Sequence, residues 1–163
     1  MSRSLYINFR DNGFWAYDVP SSVFLKFLID AATERLASGT DLWLSDAIQN
    51  WRVSAAISDL SHYADDDWSQ SQSDTVIGLC RTAVNAIRSG GDIPAREIES
   101  WQILDDQQIF TRGHDIVPCE PVARLGEAFI ELLNNTLPEP PEHHWWFFTL
   151  DENPDTIAMR VDA

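Results

Sequence analysis

The sequence predicts an α+β fold: an antiparallel sheet built from about three hairpins, packed against about four helices, in a single domain spanning residues 1–163. Three observations carry this. Residues alternate in twos around turn chemistry at the start, middle and end of the chain. The stretches between repeat their apolar residues every three or four positions. The 163 residues, 44% of them apolar, are enough to fill one core of ordinary domain size, about 100–150 residues.

The first hairpin is predicted at residues 5–19. Leu5, Ile7 and Phe9 alternate with Tyr6 and Asn8, Asp11-Asn12-Gly13 supplies the turn, and an aromatic-rich run resumes at Phe14. Pro20 should end that strand and Ser21 or Ser22 should cap a helix whose apolar line is Leu25, Ile29, Ala32 and Leu36. A second helix is expected at about 41–57, on Leu44, Ile48, Trp51 and Ala55, widened by Trp43 and Ala47. Residues 58–73 are polar and read as a surface loop. A third helix at about 74–88 has the cleanest spacing: Val76, Cys80, Ala83 and Ile87, with Ile77 and Val84 beside them, closed by Gly90-Gly91.

Residues 101–104 and 108–112 flank Asp105-Asp106-Gln107 as a second hairpin. Pro121 then falls in the first turn of a fourth helix carrying Val122, Leu125, Phe129, Leu132 and Leu133, with Asn134-Asn135 at its end. The Pro-rich connector at 138–141 is stiff and extended. Beyond it a third hairpin is expected, with strands at 145–150 and 156–161. Those last 22 residues are too few to fold alone and should join the main sheet.

Charge narrows the function classes. Eleven basic against 26 acidic side chains give a net charge of -15; the first 81 residues carry -5 of it and the rest -10. Nucleic acid and anionic membranes need Lys and Arg facing phosphate, so neither is an expected partner. A basic protein is. Two cysteines make no disulfide framework, no signal-peptide pattern opens the chain, and no apolar run nears the ~20 residues of a membrane span. A cytoplasmic protein is expected.

Chemical constellations are sparse. Asp65, Asp67, Ser69, Ser71 and Ser73 fall at alternate positions of a calcium loop, but Gln70 stands where the loop needs Gly and Val76 where it needs a bidentate Glu. A solvated acidic loop is the better reading. His114 lies five residues before Cys119, a possible base and thiol, with no third orienting group. His143-His144 could offer two imidazoles to a metal, yet neighbours on an extended chain point to opposite faces. No phosphate loop, nucleophile elbow or cysteine quartet is present. No catalytic residue, metal or cofactor is therefore assigned, and an enzyme is not the leading expectation.

Seven tryptophans remain. Trp43, Trp51 and Trp101 sit on core faces, while Trp15, Trp68 and one of Trp145 and Trp146 should turn outward. Aromatic anchors inside a charged rim suit a protein-binding surface. The expected contact residues are Asp65, Asp66, Asp67 and Trp68, then Glu139, Glu142, Trp145 and Trp146. The expected function is a small acidic protein-binding module, an inhibitor or immunity-type protein neutralising a basic partner such as a nuclease toxin. Size and charge, but no motif, support that analogy. The alternatives are a small enzyme using His114 and Cys119 or a His143/His144 metal site, and a nucleic-acid mimic whose carboxylates imitate phosphates.

Overall fold

The computed structural model describes residues 3–39, 41–57, 62–151 and, in backbone only, 155–158. It mixes helices and strands in the order β1 (Ser4–Phe9), β2 (Asn12–Tyr17), α1 (Asp18–Leu36), α2 (Leu42–Ala56), α3 (Gln70–Gly90), β3 (Ile93–Pro94), α4 (Ala95–Glu99), β4 (Ile116–Val117), α5 (Cys119–Leu133), β5 (His144–Phe148) and β6 (Asp155–Ala158). The first hairpin forms, Leu5 opposite Ala16 and Ile7 opposite Phe14, but it turns at Arg10-Asp11, and Asn12 and Gly13 of the expected turn open β2 instead. Its two-residue turn places Arg10 at φ 55°, a left-handed conformation that L side chains rarely adopt.

The main sheet runs β1-β2-β5-β6. β5 and β6 pair antiparallel, Trp145 opposite Ile157. The sheet is nevertheless mixed, correcting the antiparallel expectation, because β5 lies parallel to β2 with Trp15 opposite Phe147. Parallel neighbours need a long crossover, which here is everything from α1 to α5. Residues 152–154 of the turn expected at 151–155, and the strand residues past 158, lie outside the described residues.

The middle hairpin does not form. A single isolated bridge joins Leu104 to Gln107, with Asp105 at φ 49°. Alternation at 101–112 serves an irregular segment laid on the helices: Ile103, Ile109 and Thr111 are buried, and Trp101 meets Phe27 edge-on at 5.9 Å. The Arg52 guanidinium donates to the Ile103 carbonyl at 3.1 Å, in place of a strand partner. The segment is tied to the start of α1 by Arg112, whose Nη2 and Nε donate to the buried Asp18 carboxylate at 2.9 and 3.1 Å.

Helix boundaries differ where capping outweighs composition. α1 starts at Asp18, before the expected serine caps, because Pro20 is tolerated in a first turn whose N–H groups lack partners in any case. Ser21 Oγ instead donates to the Tyr17 carbonyl at 2.7 Å. α3 starts at Gln70, inside the expected loop. A reciprocal capping box fixes it, in which Gln72 N–H donates to Ser69 Oγ and Ser69 N–H to Gln72 Oε1. α2 and α5 match their predicted faces, and the five-residue α4 was not foreseen.

α3 packs on α5 and α1, with α2 against α1. One buried cluster joins the inner sheet residues Ile7, Phe9, Phe14 and Ala16 to Phe24, Trp51, Ile87, Leu125 and Phe129 of the helices. Gly126 lets α5 approach closely: a Cβ there would lie 2.7 Å from Val84 Cγ2 and 2.9 Å from Phe24 Cε1. Among the described residues, no helix is long and apolar enough to cross a membrane.

Candidate functional site

The acidic loop is built on α2. Past the helix, His62 N–H donates to Ser54 Oγ at 3.0 Å and the fully buried Trp51 donates its indole N–H to the Tyr63 carbonyl at 2.8 Å. Tyr63 is sealed against Phe129, ring centres 6.3 Å apart, and burial holds its hydroxyl well above the usual tyrosine range. The chain then turns. Asp67 N–H donates to Asp65 Oδ1 at 2.9 Å and Trp68 N–H to the Asp65 carbonyl at 3.0 Å. Such Asp-to-backbone bonds are what make consecutive aspartates good turn formers.

Arg10 clamps this turn onto the first hairpin. Its backbone N–H donates to Asp66 Oδ1 at 2.6 Å, and its guanidinium donates to the Trp68 carbonyl at 3.1 Å and the Asp66 carbonyl at 3.5 Å. Asp65, Asp66 and Asp67 keep their carboxylates exposed. Trp68 does not behave as expected. It is 8% exposed, wedged between Phe9 at 6.4 Å and Trp43 at 6.2 Å, and so supports the loop from beneath.

A groove of about 710 Å³ opens beside this turn. Its acids are Asp46, Asp65, Asp66 and Asp67, its amides Asn8, Asn50 and Gln72, and its aromatic wall Trp43, Trp51 and Trp68, with His62 at the side. Among the described residues lining it there is no Lys or Arg. Carboxylates accept hydrogen bonds and attract cations; they offer nothing to an anion. Sequence reading missed the α2 contribution, although Trp43, Asp46, Ala47 and Asn50 repeat at helical spacing and so share one face.

The second expected segment is divided by the sheet. Trp145 stands on the outer face, edge-on to Tyr6 at 5.3 Å. Trp146 turns inward and donates its indole N–H to the Pro138 carbonyl at 2.6 Å. Glu139 lines a different concavity with Phe9, Arg10, Asp11 and Asn12, so Arg10 separates it from the acidic loop. Glu142 is exposed. The outer sheet face is aromatic: Tyr6 also meets Trp15 at 5.2 Å, and Tyr17 meets Phe147 at 4.8 Å. None of the seven tryptophans exceeds partial exposure; Trp15 keeps the outward place that alternation gives it, packed against Tyr6, whereas the outward placement expected for Trp68 is corrected, because its ring is buried.

The residues named for the enzyme alternative do not assemble. Cys119 pairs with Asp92, which accepts its backbone N–H at 3.0 Å; partial burial and the Asp92 carboxylate push the thiol up, away from the thiolate a nucleophile needs. His114 is exposed and no hydrogen bond joins it to Cys119 among the described residues. Cys80 is fully buried with its thiol also raised. His143 sits at φ 62° beside Glu142, and His144 Nδ1 lies 2.8 Å from the Glu142 carbonyl. Among the described residues no three His, Cys, Asp or Glu gather as a metal would require.

No protein-family model, curated protein or solved structure matches this chain.

Proposed function

We propose that this chain is an acidic protein-binding module that captures a basic protein partner, as an inhibitor or immunity-type protein does with a cationic nuclease. A cytoplasmic, single-domain protein is the setting this implies. The observation that carries the reading is the groove beside the acidic turn, which Asp46, Asp65, Asp66 and Asp67 line with no Lys or Arg among the described lining residues. Clefts lined by one sign of charge focus the field and raise the encounter rate with opposite charge, and the net charge of -15 extends this over the molecule. The same field disfavours nucleic acid and anionic lipid. Trp43 and Trp68, held rigid against each other, give the groove an apolar wall against which the stem of an Arg or Lys can pack.

The test is titration against a panel of basic nucleases at several salt concentrations, with the triple variant Asp46→Asn/Asp65→Asn/Asp67→Asn beside the native chain. The expected result is salt-sensitive binding whose association rate falls in the variant by about tenfold or more, as steering charges are removed. Absence of salt-sensitive binding across the panel, or an unchanged rate in the variant, would count against the reading.

A further inference from the structure

The acidic groove reaches the edge of the sheet at Asn8 of β1, and among the described residues no further strand pairs with that edge. β1 is the outermost strand in the order β1-β2-β5-β6. Its ladder with β2 continues in the bond from Asp18 N–H to the Arg3 carbonyl at 2.9 Å. By the alternation of antiparallel pairing, Leu5, Ile7 and Phe9 direct their N–H and C=O toward β2, and Ser4, Tyr6 and Asn8 direct theirs away from it. Among the described residues nothing bonds those three outward pairs. Ser4 and Asn8 are exposed. Proteins ordinarily blunt such an edge with Lys, Pro or a bulge, and Ser-Leu-Tyr-Ile-Asn-Phe has none of these.

We infer that β1 is the docking edge for the partner, which adds a strand alongside Ser4, Tyr6 and Asn8 and sets its basic side chains against the carboxylates of the groove. The inference rests on the basic-partner reading above and adds the geometry of capture. Main-chain bonds to an open edge supply affinity without regard to sequence, and the side chains of the added strand supply selection. Side chains on one face of such a strand recur roughly every 7 Å, so a strand passing Asn8 brings successive cationic groups to the groove that Asn8 lines together with Asp65, Asp66 and Asp67. A second copy of this chain is disfavoured as occupant, since it would bring a further charge of -15 to an acidic rim.

The experiment uses the full chain and two fluorescein-labelled nine-residue peptides of alternating Arg and Val. One is unmodified, and the other is N-methylated at its four central residues, which keeps the charge but removes its donors on both edges. Anisotropy should show the unmodified peptide binding about tenfold more tightly, the loss expected for one or two net hydrogen bonds. Hydrogen exchange should show the Tyr6 and Asn8 amides becoming protected. Asn8→Pro, which removes an outward N–H, should lose a similar factor. If Asn8→Pro does not fold, the methylated peptide on the native chain still decides.

Equal binding of the two peptides, or unprotected β1 amides in the complex, would overturn strand addition and leave the basic-partner reading standing. Salt-sensitive binding by neither peptide would sink both. A dimer of the native chain abolished by Asn8→Pro would make the occupant a second copy and overturn the inference.

Discussion

Gly126→Ala should destabilise the protein even though it places a better helix former in the middle of α5. Propensity alone favours alanine by about 1 kcal/mol. The added methyl, however, would stand 2.7 Å from Val84 Cγ2, 2.9 Å from Phe24 Cε1 and 3.1 Å from Phe24 Cδ1, against ordinary carbon contacts of about 3.5–4.0 Å. Neither neighbour has room to retreat. Val84 is 4% exposed and Phe24 fully buried, and Phe24 is backed by Phe129 at 5.9 Å. Overpacking costs about 1–3 kcal/mol; with both neighbours buried the upper part of that range, about 2–3 kcal/mol, applies, so after the propensity gain the net loss should be about 1–2 kcal/mol. For a chain of this length that lowers Tm by about 2–8 °C. Urea unfolding should show a lower midpoint at unchanged m-value. Combining the change with Val84→Ala should cost less than the sum of the two single variants, because the same clash is relieved. A Gly126→Ala protein as stable as the parent would refute the close approach of α5 to α1 and α3.

Arg10→Ala removes two guanidinium bonds to carbonyls of the acidic turn and should loosen that turn locally by about 1–2 kcal/mol; faster amide exchange at Asp67 and Trp68, with global unfolding little changed, is the expected pattern. Arg88 bonds both Glu120 at 2.9 Å and Glu127 at 2.6 Å on the surface, and its hydrogen bond holds the Glu120 carboxyl below the usual range. A depressed carboxyl stabilises the fold fully above its unfolded value and loses that contribution as pH falls through the lowered native one. Arg88→Ala should therefore cost about 0.5–1 kcal/mol at pH 7 and low salt, with the difference from the parent closing in acid and in high salt when followed by chemical denaturation. Both cysteines have raised thiols; alkylation by iodoacetamide at pH 7.5 should be slower at Cys119 than in a free cysteine peptide and should reach Cys80 only on unfolding, and rapid modification of native Cys119 would contradict its pairing with Asp92.

What could be read in advance was whatever depends on a short window. The apolar lines of α3 and α5 and the first hairpin are written in spacings of two, three and four. The start of α3 was legible too, since Ser69 and Gln72 have the capping-box spacing, but the polar run around them reads as loop. The failures are non-local. Residues 101–112 alternate as a strand would, yet their buried positions answer to Phe27 and Arg52 on helices far away in sequence. Trp68 reads as exposed beside three aspartates until Phe9 and Trp43 close over it. Four site residues could be named because an Asp-rich turn is conspicuous; Asp46, Asn50 and Asn8 could not, because only the packing of α2 and β1 against that turn makes them its neighbours.

The pairing of β2 with β5 sets a timetable for synthesis. Trp15 and Phe147 are neighbours in the sheet but about 130 residues apart in the chain. A ribosome adding about 5–20 residues per second needs on the order of ten seconds to bridge that gap. Throughout that interval the nascent hairpin has no β5 beside it, and Phe14 and Trp15 lie on a strand whose second edge is unpaired. The growing chain must protect, in an aromatic segment, the edge that the finished molecule conceals.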